Sequence, residues 1–354
     1  MKGASWEDGL PPSCNTGAEN PLQSALNPRI DWLQATFKNE EYVQKPAQFI
    51  EEVLLLDPDK FDDLEVGLYG YRRSMRMGNI AVYYDGRADM GIHLQMTGSG
   101  CREFEYFGLD WGTFFAIVVE AGGNFTRLDL ALDDHYGYWS MRIVEKKVKR
   151  GEVVSKFKRA TQIKKIDLET GETVGSTVYF GSGSSRIQIR MYDKRKEQMG
   201  KKDIDPEKLP EVWNRVEIEA RDERAQAIAA MIAQDVPAGV VIRGILKYYV
   251  RFVVRGTDKK RCRWKTVRWW KKFLDDVEPL RLVEKGEIDA TIEKRVAWVK
   301  RQVAPSLAAI IKAMDGEMTV IYDAIKEGME RLKPRDLVMI RQYKETAGDW
   351  GTHG

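Results

Sequence analysis

Three segments of the chain, RLDLALDD at 127–134, RIQIRMYDK at 186–194 and WNRVEIEAR at 213–221, alternate apolar and charged residues with a period of two. Successive side chains of a strand point to opposite faces, so each segment has one face suited to a core and one suited to water. Leu128, Leu130 and Leu132 oppose Arg127, Asp129, Ala131 and Asp133. Ile187, Ile189 and Met191 oppose Arg186, Gln188, Arg190 and Tyr192. Val216, Ile218 and Ala220 oppose Trp213, Arg215, Glu217, Glu219 and Arg221. Such strands require an antiparallel sheet with one face on a core. An ordinary wet face carries Thr, Lys, Ser and Gln, whereas this one carries carboxylates, arginines and a tyrosine, the mixture that marks a site.

Further alternating runs, EVGLYGYRRS, NIAVYYDG, MGIHLQMTG and STVYFG, predict more strands. KPAQFIEEVLLLD, DWGTFFAIVVEAGG and DERAQAIAAMIAQD carry apolar stripes at helical spacing. Strands and helices in no regular βαβ order predict an α+β fold, with a mainly antiparallel central sheet flanked by helices. Past about Val254 the strand patterns stop, and a helical C-terminal region follows. Its longest element, ATIEKRVAWVKRQVAPSLAAIIKAM, is expected to be interrupted or kinked near Pro305. Three parts result: a disordered arm over 1–27, rich in Gly, Pro, Ser and Asn, a catalytic domain over 28–254, and the helical region over 255–354. No internal repeat is legible, and no GxxxxGK[ST] motif exists, so ATP hydrolysis is not expected. No apolar run approaches the roughly 20 residues of a membrane span, and the start has no signal-peptide pattern, so a cytoplasmic protein is expected.

Cys14, Cys101 and Cys262 are odd in number and form no CxxC pair, and there are only three histidines. A metal centre would therefore rest on carboxylates, the ligands of magnesium or manganese. At about 3.4 Å per residue, Asp129 and Asp133 lie roughly 13 Å apart on an extended strand, too far to share an ion, whereas Glu217 and Glu219 are about 7 Å apart. Asp129, Glu217 and Glu219 are thus the candidate ligands, with Asp133 in reserve. Tyr192 ends a strand between Arg190 and Lys194. A phenol has a pKa of about 10, so nucleophilic attack by Tyr192 on phosphorus needs such cations or a base. The Gly181–Ser185 run, GSGSS, reads more simply as a hairpin loop than as a phosphate nest.

The charge of +3 hides an uneven distribution. Between Lys146 and Lys165 there are nine Lys/Arg against Glu152, and between Arg255 and Lys272 nine against Asp258. In the second stretch Arg261, Arg263, Lys265, Arg268, Lys271 and Lys272 alternate with Trp264, Trp269 and Trp270. Cations of this kind position a segment on phosphates, and arginines read guanine edges, so the stretch is assigned to DNA recognition. At least two of the three tryptophans are expected to pack onto the body.

The stretches GIHLQMTGSGCREFE, FTRLDLALDDH, TVYFGSGSSRIQIRMYDKRKE, WNRVEIEARDERA and RCRWKTVRWWKKFL, in this order, resemble the Rep_trans family, the rolling-circle replication initiators of Gram-positive plasmids. The resemblance covers roughly residues 27–308. It implies a homodimer that binds a plasmid double-strand origin, opens a hairpin and nicks one strand in a divalent-metal-dependent reaction. It also implies that Tyr192, in the YDK segment, becomes linked to the 5′ phosphate, and that a host replicative helicase does the unwinding. His-apolar-His ligand pairs occur in tyrosine nickases, which makes His93, paired with Gln95 in GIHLQM, a candidate fourth ligand. Two rivals remain. A tyrosine recombinase or topoisomerase would place its tyrosine on a mostly helical domain with an arginine-rich set. A non-catalytic origin-binding regulator would leave the carboxylate face without a role.

Overall fold

The computed structural model describes residues 26–108, 110–201, 204–275, 296, 299–330, 340 and 343. The chain divides into two compact units, Met1–Lys285 and Gly286–Gly354. Most of the expected N-terminal arm lies outside the described residues.

The strands, in chain order, are β1 (Leu26–Phe37), β2 (Asp62–Leu64), β3 (Arg73–Met77), β4 (Ile80–Tyr84), β5 (Ile92–Met96), β6 (Asn124–Asp134), β7 (Val153–Ser155), β8 (Ala160–Ile166), β9 (Thr173–Phe180), β10 (Ile187–Asp193), β11 (Asn214–Arg221) and β12 (Val250–Phe252). Ten of them form one antiparallel sheet in the order β2-β3-β4-β5-β1-β6-β11-β10-β9-β8, and β7 pairs with β12 in a separate ribbon. The α+β expectation is met. The expected strand over EVGLYGYRRS is not one strand: β2 ends just before it, β3 takes in only its last two residues, and Tyr69 and Gly70, at φ of 58° and 91°, have left-handed backbone that no strand accepts.

The helices are α1 (Glu40–Gln44), α2 (Pro46–Phe49), α3 (Gly98–Tyr106), α4 (Trp111–Glu120), α5 (Met141–Lys149), α6 (Lys194–Met199), α7 (Glu223–Ala233), α8 (Ala238–Tyr249), α9 (Arg268–Leu274), α10 (Ala304–Ala313) and α11 (Thr319–Glu330). The last two belong to the second unit, where Pro305 sits in the first turn of α10, directly after a π turn at Val299–Val303. The expected interruption near Pro305 takes that form.

Local chemistry explains these elements. Asp110 caps α4 by accepting from the Thr113 N–H at 2.8 Å. Trp111, Phe114, Phe115 and Val118 recur at helical spacing and are buried. Gly122, at φ 73°, lets the chain turn back so that the Gly123 N–H reaches the Val118 carbonyl at 2.8 Å, a Schellman stop. The apolar stripe of α7 (Ala225, Ile228, Ala229, Ile232) is buried as well, and α7 packs on both α4 and β6. The apolar face of the sheet, with Leu33, Leu94, Leu130, Ile189 and Ile218 all fully buried, lies in this core.

The sheet also contains a duplication that the sequence does not reveal. In the N-terminal half a central strand, β1, is followed by helices and then by β2, β3, β4 and β5, which run from the edge inward until β5 lies beside β1. In the other half β6 is the central strand, and β8, β9, β10 and β11 run from the opposite edge inward until β11 lies beside β6. Both halves then continue into helices, α3 and α4 after β5 and α7 and α8 after β11. The antiparallel β1–β6 pair joins them, so an approximate twofold passes through the centre of the sheet.

Candidate active site

The charged residues named on these strands meet on the polar face of β10, β11, β6 and β1. Registers form three rows: Tyr192↔Arg215↔Asp133, Arg190↔Glu217↔Ala131, and Gln188↔Glu219↔Asp129↔Trp32. A register shift in β1 between Ile30 and Trp32 turns Asp31 toward this face as well.

Glu217 sits at the centre and is 2% exposed. It accepts a hydrogen bond from the Tyr192 hydroxyl on Oε1, and Arg190 pairs with Oε2. The Arg190 guanidinium and the Lys194 ammonium lie 5.9 and 5.5 Å from the centre of the Tyr192 ring, so both expected cations flank the phenol. Arg215 grips Asp133 with two hydrogen bonds, Nε to Oδ1 at 2.6 Å and Nη2 to Oδ2 at 2.8 Å. It also reaches Asp31 at 3.1 Å and comes within 3.8 Å of Glu217. Asp133 is completely buried and accepts further bonds from Arg29 at 3.2 Å and the Trp213 indole at 2.7 Å. One row away, Arg127 binds both oxygens of Asp129, at 2.9 and 2.6 Å, reaches Glu219 at 3.1 Å, and stacks over Trp32 at 4.7 Å. Arg221 holds the other oxygen of Glu219 at 2.7 Å.

Electrostatics separates these carboxylates into two kinds. Burial alone would raise Asp133, but the hydrogen bonds and charge of Arg215, with Trp213 and Arg29, hold it below the usual carboxylate range. It is a permanent anion that orients Arg215. Asp129 is pushed up to about 6 by burial, with Arg127 opposing and the charges of Glu219 and Glu217 adding. Glu217 is raised by burial, Asp31 adding to the effect while Arg190 and Arg215 oppose it. Tyr192 is held far above its ordinary value by burial and by the charge of Glu217, against the pull of Arg215. The phenol is therefore protonated at rest, with its proton directed at Glu217.

Among the described residues no three His, Cys, Asp or Glu side chains converge as a metal cluster, because each carboxylate of the face is turned to an arginine. The donor chemistry nevertheless fits a hard divalent ion. Asp129, Glu217 and Glu219 occupy neighbouring positions and offer the carboxylate oxygens that such an ion takes, each now held by an arginine. His93 does not join them. It pairs with Thr36, which pairs with Asn124, five residues or about 17 Å along β6 from Asp129. The GSGSS run is a closed turn in which the Ser182 hydroxyl bonds those of Ser184 and Ser185 at 3.1 and 2.9 Å.

The basic segment from Arg255 to Lys272 lies in the same unit. Arg261, Arg263, Lys265, Arg268, Lys271 and Lys272 are all exposed. Trp270 is buried, its indole donating to the Val250 carbonyl at 3.1 Å, and Trp269 packs against the core, as expected for two of the three tryptophans. The β7–β12 pairing, with Arg255 bonded to the Arg150 carbonyl and Arg261 to that of Gly151, joins the two basic stretches into one surface. Beside it lies a cleft of about 300 Å³ lined by Arg142, Glu145, Lys146, Lys149 and Arg150. Sequence separation hid this continuity. Arg215 and Asp31 were also missed as site residues. Arg215 was visible on the charged face but without a partner to give it a role, and the bulge concealed Asp31.

Residues 123–325 match the family described as Replication initiation factor (Rep_trans), and residues 27–117 match the Rolling Circle replication initiation protein N-terminal domain. The chain is 33% identical over 314 residues to "Putative DNA relaxase NicK" of Bacillus subtilis (strain 168), covering 86% of this chain and 88% of that protein. It is similar to the solved rolling circle replication initiator protein from Geobacillus stearothermophilus, with 44% identity and a TM-score of 0.64 over 74% of this chain and all of the other. No described helix is long and apolar enough to cross a membrane. The chain thus belongs to the Replication initiation factor family and is a rolling-circle replication initiator, an enzyme of the nicking-nuclease type.

Proposed function

We propose that the protein binds a plasmid double-strand origin and nicks one strand by transesterification onto Tyr192. The phenol gives its proton to Glu217 as its oxygen attacks the scissile phosphorus. The bond from phosphorus to the 3′ oxygen breaks, and that oxygen takes a proton and leaves as a free 3′ hydroxyl. The 5′ phosphate stays esterified to Tyr192. One phosphodiester is exchanged for another, so the strand is rejoined by the reverse steps without ATP. Arg190 and Lys194 hold the phosphate and the developing phenolate charge, and Arg215, fixed by Asp133, supports the same charge. Asp129, Glu217 and Glu219 would hold Mg²⁺ or Mn²⁺, which supplies Lewis-acid polarisation of the phosphate when bound.

The observation that carries this reading is the Tyr192 hydroxyl bonded to a buried glutamate between two arginines. The exposed cations of Arg261 to Lys272, with the basic surface beside them, are assigned to origin recognition. Action as a homodimer and unwinding by a host replicative helicase complete the proposal. A second reading, nicking at an origin of DNA transfer, is favoured by the relaxase name of the Bacillus subtilis relative. The chemistry is the same and the DNA differs. Supercoiled plasmids carrying either origin, incubated with and without magnesium, separate the cases: protein-linked open circles that need magnesium support the mechanism, and their complete absence on both substrates overturns it.

A further inference from the structure

The twofold within the sheet gives the site around Tyr192 a counterpart in the N-terminal half. Tyr83 on β4 pairs with His93 on β5 as Tyr192 on β10 pairs with Arg215 on β11. His93 and Gln95 face Thr36 and Gln34 of the central strand β1 as Arg215 and Glu217 face Asp133 and Ala131 of β6. The Tyr83 hydroxyl donates to Gln95 at 3.2 Å, two residues beyond its own register partner, as Tyr192 donates to Glu217. Ala81 stands where Arg190 does, two residues before the tyrosine, and the cation near Tyr83 comes instead from the neighbouring strand, Arg76 lying 5.4 Å from its ring centre. The geometry is repeated, but the chemistry is not. Gln95 stands where Glu217 does, Thr36 where Asp133 does, and His93 where Arg215 does.

These replacements remove the proton acceptor and the anions, and aromatic rings take the remaining space. Tyr69, Tyr71 and Tyr83 surround the His93 ring at centroid distances of 5.4, 6.1 and 6.1 Å. Tyr69 is 55% exposed, and its hydroxyl accepts from Gln34 at 3.0 Å. Burial keeps His93 neutral, with its pKa lowered to about 4. His93 is 8% exposed, its Nδ1 is matched with the Thr36 hydroxyl at 2.8 Å, and its Nε2 has no hydrogen-bond partner among the described residues. A buried polar atom with no protein partner keeps a bonding capacity that a bound group can take up. The exposed Tyr69 ring, over the buried Tyr83 and beside neutral amide and imidazole edges, suits nucleobases, which stack and hydrogen-bond but carry no charge of their own.

We infer that the Tyr69, Tyr83, His93 and Gln95 cluster is a second, non-covalent site for unpaired DNA bases, related to the nicking site by the internal twofold. The inference rests on the DNA-nicking reading for the identity of its ligand. The two sites share one sheet face. Five strand spacings of about 4.8 Å and nine residues of about 3.4 Å place them roughly 38 Å apart, so the cluster holds DNA away from the cut and not at it.

The test uses the full chain with oligothymidylate as probe. Tyr69→Ala is expected to weaken binding roughly 5- to 150-fold, the loss of one stacked base, and Tyr69→Trp to restore it, with thermal midpoints confirming that both variants fold. Origin strands carrying 5-iododeoxyuridine on the 5′ or the 3′ side of the nick, irradiated in the complex, should crosslink to peptides containing Tyr69, Tyr83 or His93, and the side that reacts identifies the bound segment. Unchanged affinity of Tyr69→Ala, crosslinks confined to other peptides, or a covalent phosphotyrosine at Tyr83 would overturn the inference. Crosslinking here with no adduct at Tyr192 supports this site while counting against the nicking assignment.

Discussion

Replacing Arg215 by methionine leaves the carboxylate of Asp133, which is completely buried, without its two-bond partner. Breaking a buried pair from one side costs about 3–5 kcal/mol, because an uncompensated charge remains. Arg29 and the Trp213 indole still reach Asp133, so the low end, about 3 kcal/mol, is expected here. Against a total stability of about 5–15 kcal/mol, that loss moves a urea midpoint by about 1 M. Adding Asp133→Leu removes the stranded charge, so the double variant should regain most of the loss. The pH dependence follows from the depressed pKa of Asp133: its stabilisation is present above the unfolded carboxylate value and lost as pH falls through the lower folded value. The gap between wild type and Arg215→Met should therefore shrink in acid. Urea melts of the three proteins at several pH values measure all of this. A single variant within 1 kcal/mol of wild type, or a double variant no better than the single, would refute the picture of Asp133 as the buried anchor of Arg215.

Other outcomes follow from the same geometry. Glu217→Gln should abolish nicking while leaving origin binding intact, as measured by band shift, since the amide cannot accept the Tyr192 proton. At limiting magnesium and saturating DNA the nicking rate should fall as pH drops through about 6, where Asp129 gains a proton in place of a cation; a flat profile from pH 7 to 5 under those conditions would remove Asp129 from the mechanism. Arg263→Ala and Arg268→Ala should weaken origin binding, by roughly 1–3 kcal/mol at one base position if a guanine is read, or alike on every sequence with a salt slope reduced by about one if only phosphate is touched. Unchanged binding in both would move recognition to another surface.

The sequence showed the charged face of β6, β10 and β11 clearly because their alternation is unbroken and every apolar position is buried. Tyr192, Arg190, Glu217, Glu219 and Asp129 could be placed on one face before any coordinates. β1 was invisible, although it joins the two halves, because Pro28 and two register shifts break its period of two. Asp31 vanished with it. The duplication was hidden for a different reason. Only the apolar alternation survives in both halves, while the polar positions have changed from Glu217 to Gln95 and from Asp133 to Thr36 in type, which leaves no repeated string to find. Ion pairing was equally hidden: the choice of Arg215 for Asp133 depends on cross-strand register, and Arg127 turns along its own strand to Asp129.

The central claim is that Tyr192 is the atom source of the covalent link to DNA. Supercoiled origin plasmid, labelled at the scissile phosphate and incubated with wild type and with Tyr192→Phe, tests it directly when the trapped complex is digested and its peptides are sequenced. The wild-type digest should yield one labelled peptide spanning Arg190 to Lys194, and Tyr192→Phe should bind the origin at close to normal affinity yet yield no labelled peptide. Label on a peptide containing Tyr179, Tyr83 or another tyrosine, or a protein–DNA adduct formed by Tyr192→Phe, would contradict the account.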